Sequence, residues 1–262
     1  MAAHLHPGRQ APIGTHSVCR QVDVSSLTSD LTTSMFELLC AHFHNVSREI
    51  FDRDLSSKST VLLLEEHESG GLLGFSTQRI LRSSSGARVV FSGDTIIDPI
   101  AWGSLALPRA WGSWMLSLSA EEPTSPLYWL LISKGHRTFR FLPTYFTDYA
   151  PSLTRAYSAD ELAIVREVGL SLFGDKLTVN QQGFLVVAHD ITSQRLKEHL
   201  LDDRHLRSDQ RDIKFFVEAN PNYAHGTELV CLVHFHASNM RPFCRRMLGL
   251  FSRVKEESLH DH

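Results

Sequence analysis

The sequence predicts an α/β fold: one domain with a mixed, mostly antiparallel sheet flanked by helices. Three observations carry this. Residues 61–65, 72–81 and 87–97 are consecutive β-rich runs joined by Glu68-Ser69-Gly70-Gly71 and by residues 83–86. Turns this short cannot carry the chain across to a parallel neighbour, so the three runs form an antiparallel meander. The period then changes: Leu107, Trp111, Trp114, Met115 and Leu118 mark one face of an amphipathic helix. Leu127–Ser133 follows as a continuous apolar run, too short for a core helix, and reads as a strand buried on both faces.

The remaining elements follow in order. Residues 17–24 alternate as a first strand. A Thr/Ser/Asp cluster then offers an N-cap to a helix with Leu31, Met35, Leu38, Leu39 and His42 on one stripe, and a more polar helix covers 47–54. Pro123 and Pro126 end the helix that began near Leu107. Residues 136–149 read as a helix kinked or restarted at Pro143, although Phe139 and Phe141 alternate as in a strand. A helix over 160–173 carries Leu162, Val165, Val168 and Leu172 on one stripe. A strand over 177–188 with a break at Gln181-Gln182-Gly183, a solvated helix and loop over 194–210, and an apolar strand over 228–235 complete the chain. The domain layout expected is a flexible leader at 1–16, a core at 17–155, and a C-terminal part of the same domain at 156–262.

Composition narrows the function. With 42% hydrophobic and 21% charged residues in 262, the chain buries a sizeable core rather than staying disordered. A formal charge of -3 offers no basic footprint for nucleic acid. Cys19, Cys40, Cys231 and Cys244 have no Cys-x-x-Cys spacing, which gives no support to zinc-ribbon or thioredoxin chemistry. The apolar runs are too short to span a bilayer, and residues 1–15 lack the apolar run of a signal peptide, so the cytoplasm is expected. Walker, Gly-x-Gly-x-x-Gly, Gly-x-Ser-x-Gly and His-Glu-x-x-His patterns are absent, which disfavours phosphoryl transfer, dinucleotide redox chemistry, serine hydrolysis and zinc proteolysis.

The order strand, two helices, three-strand meander, helix, strand, helix resembles the GNAT superfamily of acyl-CoA-dependent N-acyltransferases over residues 17–150. Gly74-Phe75-Ser76-Thr77, Phe91-Ser92-Gly93-Asp94-Thr95-Ile96, Tyr128-Trp129-Leu130-Leu131-Ile132-Ser133 and the run from Arg137 to Pro143 are similar to an uncharacterised bacterial branch of it. Asn220-Pro221 and Gly226-Thr227-Glu228-Leu229-Val230-Cys231 belong with them. The resemblance implies transfer of an acyl group, including a long-chain one, from a CoA or acyl carrier protein thioester to an amine of a small molecule or peptide. No metal, nucleic acid or membrane is implied. A catalytically degenerate domain serving as a binding or partner module is the alternative.

In that superfamily the fourth and fifth strands splay, and the cofactor's pyrophosphate meets the N-terminus of the next helix, whose free N–H groups and dipole favour an anion. The corresponding loop here runs from Ile97 to Ser104, so the resemblance assigns Ile96, Ile97, Trp102, Gly103, Ser104 and Ser133 to the cofactor. The usual Gln/Arg-x-x-Gly-x-Gly/Ala pattern is missing, the loop has no Arg or Lys, and Asp98 would repel a phosphate.

Asp94 ends the third meander strand, where a carboxylate serves as general base for an amine; a strand-end residue bonding its own turn is the other reading. Glu228 faces the same cleft or solvent. Tyr145 is the residue the resemblance assigns as the acid that protonates the departing thiolate, although aromatics in such places also pack as core. Arg137 and Arg140 either bind a substrate carboxylate or the cofactor's phosphates, or form a solvated face. Trp129, with Trp102, Trp111 and Trp114, suits a bulky acyl chain or core packing. Cys231 reads as a small buried hydrophobe, and the pair His234 and His236 lacks a third metal ligand at diagnostic spacing.

Overall fold

The computed structural model describes residues 16–189, 194–201 and 211–250. Residues 1–15 of the expected leader and residues 202–210 of the expected solvated helix and loop lie outside these residues.

The chain opens with strand β1 (Ser17–Asp23), helix α1 (Ser29–His42), the short β2 (Phe43–His44) and helix α2 (Arg48–Ser56). Thr28 and Ser47 cap the two helices by accepting from Leu31 N and Ile50 N, which satisfies N–H groups that a first turn leaves without partners. The meander follows as β3 (Thr60–Glu66), β4 (Leu72–Arg82) and β5 (Arg88–Ile97), then α3 (Ala106–Glu121) and β6 (Leu127–Ser133). Two short helices, α4 (His136–Phe139) and α5 (Phe141–Tyr145), lead to α6 (Ala159–Phe173). Ser158 and Glu161 close α6 with a reciprocal capping box. Strands β7 (Leu177–Val179), β8 (Leu185–Val187) and β9 (Arg195–Leu196), helices α7 (Glu198–Leu201) and α8 (Arg211–Ala219), strand β10 (Glu228–His234) and helix α9 (Pro242–Met247) complete the described chain.

Eight strands form one sheet in the order β1-β3-β4-β5-β6-β10-β8-β7. Every neighbouring pair is antiparallel except β5 with β6. The expected mixed, mostly antiparallel sheet and its meander are therefore present, and the late strands extend the same sheet. The first five residues of β3 are all buried because both faces are covered. Val61 and Leu63 pack with Met35, Leu39 and Phe51 of α1 and α2, whereas Leu62 and Leu64 pack with Leu107 of α3. Farther along the sheet, α6 covers Val89, Phe91 and Leu130, and the opposite face packs Trp129 and Leu131 against Met115, Phe139 and Phe216.

Three expectations are corrected. Residues 177–188 form a hairpin of two strands, β7 and β8, with Leu177 opposite Val187; Gly183, at φ 84, sits in the turn between them. The restart expected at Pro143 falls at Arg140 instead, between α4 and α5. Pro143 is accommodated because it lies in the first turn of α5, where a missing N–H costs no helical bond. Arg195–Leu196, expected in a helix or loop, pairs with Phe43–His44 as a two-stranded antiparallel ribbon.

Candidate functional site

The site begins where the two parallel strands part. β5 and β6 pair from Arg88–Leu127 to Ser92–Leu131 and no farther, although β5 runs on to Ile97 and β6 to Ser133. A bulge accompanies the parting. On the meander side Gln78 faces Ser92 and Ser76 faces Thr95, so Gly93 and Asp94 together oppose Thr77. Two residues against one bend a strand and increase its twist. Gly93 is required there: a Cβ would come 2.6 Å from Thr77 Oγ1 and 2.7 Å from Lys58 Cε.

Between the diverging strands lies an open cleft of about 370 Å³. Its walls draw on both sides of the sheet. Trp102, Gly103, Ser104, Leu105 and Pro108 come from the loop and first turn of α3, and Arg137 and Arg140 from α4 and its end. His42 and Phe43, with Leu196 from the paired ribbon strand, come from the side of α1. Thr95, Ile96, Ile97, Phe141 and Tyr145 also line it.

The loop before α3 is held by its own bonds. Asp98 accepts from Ile100 N at 2.9 Å, capping a 3-10 turn over Pro99–Ala101. Trp102 Nε1 donates to Ile97 O at 2.9 Å, and Ser104 Oγ accepts from Ala106 N at 3.2 Å while bonding Ser17 Oγ at 2.7 Å. Gly103 takes a φ of 93°, a conformation a side chain would strain. The loop carries no basic residue of its own, but the fold supplies charge from α4: the Arg137 guanidinium lies 4.1 Å from the centroid of the Trp102 ring.

On the α2 side of the parting stands a cluster of charges. Lys134 Nζ is 3.6 Å from Glu228 Oε1 and 5.4 Å from the Phe43 ring centroid. His189 Nε2 is 2.7 Å from Glu228 Oε2. Lys58 Nζ, which is buried, pairs with Asp54 Oδ1 at 2.5 Å. Burial works to raise the Glu228 carboxyl, but Lys134 and His189 outweigh it and bring the group below its ordinary value. Asp94 goes the other way. Burial, with repulsion from Asp54 and Glu228 and only partial relief from Lys134 and Lys58, pushes its carboxyl up to about 6. Two carboxylates in one electrostatic neighbourhood are thus pushed apart in pH, the arrangement that separates a proton carrier from a fixed charge.

Tyr145, at the end of α5, stacks between Phe141 and Phe243 at 5.8 and 6.0 Å. Burial and the nearby Cys244 push its hydroxyl up to about 12, so it stays protonated and able to donate. Trp129 is a core residue: Nε1 donates to Ser92 Oγ at 2.9 Å and its ring lies 4.4 Å from that of Trp111. Ser133 is fully buried in the β6–β10 pairing, off the cleft wall. Asp94 and Glu228 stand behind that wall, which the Lys134 side of their cluster reaches. The expected residues are therefore brought together in part: Ile96, Ile97, Trp102, Gly103, Ser104, Arg137, Arg140 and Tyr145 share the cleft, and Asp94 and Glu228 share the adjoining charge cluster. Lys134 and His189 are the members that sequence reasoning assigned no role.

Burial drives the Cys231 thiol far above its ordinary value, in keeping with a small core residue. His234 and His236 stack at 6.0 Å, and among the described residues no group of three or more His, Cys, Asp or Glu is placed to hold a metal. Among the described residues no helix is long and apolar enough to cross a membrane.

No family model and no curated protein matches this chain. Solved structures similar to it include an acetyltransferase from Trypanosoma brucei, with 19% identity over 48% of this chain and 87% of that one at a TM-score of 0.34. Another is glucosamine-6-phosphate N-acetyltransferase from Arabidopsis thaliana, with 17% identity over 44% and 80% of the two chains at a TM-score of 0.32. A third is a GNAT family N-acetyltransferase from Escherichia coli in complex with CoA, with 15% identity over 53% and 71% at a TM-score of 0.36.

Proposed function

We propose that this protein is an N-acyltransferase that moves an acyl group from a CoA or carrier-protein thioester to an amine of a small molecule or peptide. The observation that carries the reading is the parting of β5 from β6 after Ser92 and Leu131, beside a cleft lined by Arg137, Arg140 and Lys134, with Glu228 behind its wall at Lys134.

The parts fit the chemistry in sequence. Arg137, Arg140 and the start of α3 suit the phosphates of a CoA-type donor, through charge-assisted bonds and a helix N-terminus. Among the described residues the edge of β5 beyond Ser92 has no strand partner on the β6 side, which would leave backbone N–H groups there for a thioester carbonyl as it becomes an oxyanion. The amine nitrogen attacks the acyl carbon, and its proton passes through water to Asp94, behind the cleft wall, while Glu228 keeps its charge. Collapse breaks the carbon–sulfur bond, and Tyr145 supplies a proton to the leaving thiolate. The acyl carbon, the proton and the thiol are all accounted for without a metal.

A degenerate binding module remains the second reading, favoured by one observation: the loop from Ile97 to Ser104 has neither the usual glycine pattern nor a basic residue. Arg137 and Arg140 on the cleft wall weigh against it. Incubation of the protein with acyl-CoA thioesters and a panel of primary amines, followed by thiol release and mass spectrometry of the amide, tests the enzyme reading. Amide formation supports it. Donor binding without amide formation, across small-molecule and peptide amines, favours the binding module.

A further inference from the structure

A second cavity adjoins the cleft. It is about 50 Å³, and it shares Thr95, Pro108, Thr138, Phe141 and Tyr145 with the cleft wall, so the two spaces meet at those side chains. It lies between α3 and the sheet, with Leu107 and Trp111 on one side and Trp129 and Leu131 on the other. Cys244 and Met247 of α9 also line it. Three of the hydroxyls on its wall are engaged: Ser76 bonds Thr95 at 2.7 Å, and Ser92 donates to Gln78 Oε1 at 2.7 Å and accepts from Trp129 Nε1 at 2.9 Å. The buried Trp111 Nε1 has no partner, but most of the wall is apolar side chain, which favours an apolar occupant.

We propose that this cavity is the binding site for the hydrocarbon tail of the transferred acyl group, and that it selects unbranched chains of short to medium length, from butanoyl to hexanoyl. The inference rests on reading the cleft as a thioester site and deepens it by naming the acyl class. A space of this size holds roughly three to five water-sized groups, which a methylene approximates. An acetyl group leaves it empty, and a palmitoyl chain overruns it. The α9 part of the wall is fastened to the fold. Leu248, just after α9, packs onto Gly112 of α3 so closely that a Cβ on Gly112 would lie 2.7 Å from Leu248 Cδ2. Met247 is the adjustable part of that wall, since an unbranched thioether side chain repacks readily.

The test is a calorimetric titration of the full chain with acetyl-, butanoyl-, hexanoyl-, octanoyl- and palmitoyl-CoA, repeated on two variants. The expected result is affinity rising about fourfold for each methylene buried, so that hexanoyl-CoA binds at least roughly tenfold tighter than acetyl-CoA, with palmitoyl-CoA weaker than octanoyl-CoA. Met247→Ala enlarges the cavity and moves the optimum to longer chains; Cys244→Leu reduces it and moves the optimum down. Equal affinity for acetyl- and hexanoyl-CoA in the parent protein overturns the tail site while leaving the thioester reading intact. A preference for medium chains that neither folded variant shifts also overturns it, because the tail then lies elsewhere. Binding of no CoA thioester overturns the tail site together with the CoA form of the reading on which it rests.

Discussion

Lys134 Nζ stands 3.6 Å from Glu228 Oε1 because β6 and β10 are in register: Ser133 faces Leu229, and the next step along each strand brings Lys134 opposite Glu228. The same pairing puts His189 beside Glu228, since Glu228 faces Val187 two residues before it. Glu228 is thereby held ionised, and its charge helps push the neighbouring Asp94 toward its protonated form. Four predictions follow from this arrangement and from the helices around it.

With the Asp94 carboxyl pushed up to about 6, turnover should rise with pH through about 6 and then level off. Asp94→Asn should lose roughly 100-fold in kcat along with that limb of the profile. Stability should move the other way. A raised carboxyl favours the folded state while it is protonated and loses that contribution as pH rises through about 6, where the charged group must be buried. Asn carries no such charge, so above that pH the variant should match or exceed the parent in Tm.

Glu228→Gln removes the charge that compensates the partly buried Lys134 ammonium. Unfolding by urea near neutral pH should show a loss of about 3 kcal/mol. The depressed Glu228 carboxyl stabilises the fold above its ordinary range and stops doing so as pH falls through its lowered folded value. The gap between parent and variant should therefore close in acid. A gap independent of pH would mean that the glutamate acts through packing alone.

Arg137→Ala and Arg140→Ala should each weaken binding of every CoA thioester by about tenfold at low salt, whatever the acyl chain. Raising the salt should narrow the difference, because exposed charges are screened over about 10 Å at ordinary ionic strength. A loss confined to particular acyl chains would move these arginines from the phosphates to the acyl group.

Ser158→Ala should cost about 1 kcal/mol, measured by thermal or denaturant unfolding, because Ser158 accepts from Glu161 N and Glu161 reaches back to Ser158 N. Arg155 Nη1 also holds Glu161, at 2.6 Å. The capping box lies outside the cleft, so turnover per folded molecule should not change.

Much of the fold was legible because its signals are local. Short glycine-containing turns specify antiparallel neighbours, and the stripe of Leu107, Trp111, Met115 and Leu118 specifies α3 whatever it packs against. The hairpin at 177–188 was missed because its strands span only three residues each, too few for alternation to separate two strands from one. The ribbon of β2 and β9 is two residues per strand and joins segments about 150 positions apart, as the pairing of Phe43 with Leu196 records. Of the site, the loop before α3 was legible from its place after the meander. Lys134 and His189 were not, since their approach to Glu228 depends on which strands pair and in what register. Arg137 was seen, but its contact with Trp102 was not, because α4 had been expected as part of one longer helix.

The most direct test of the central claim is a calorimetric titration comparing the parent chain with the double variant Arg137→Ala/Arg140→Ala, using acetyl- and hexanoyl-CoA and an acylated carrier protein. The account predicts one binding site on the parent for at least one CoA thioester, with affinity lost or reduced by about 100-fold in the double variant. Absence of binding for every thioester, carrier-bound ones included, or undiminished CoA binding in the double variant, would contradict it.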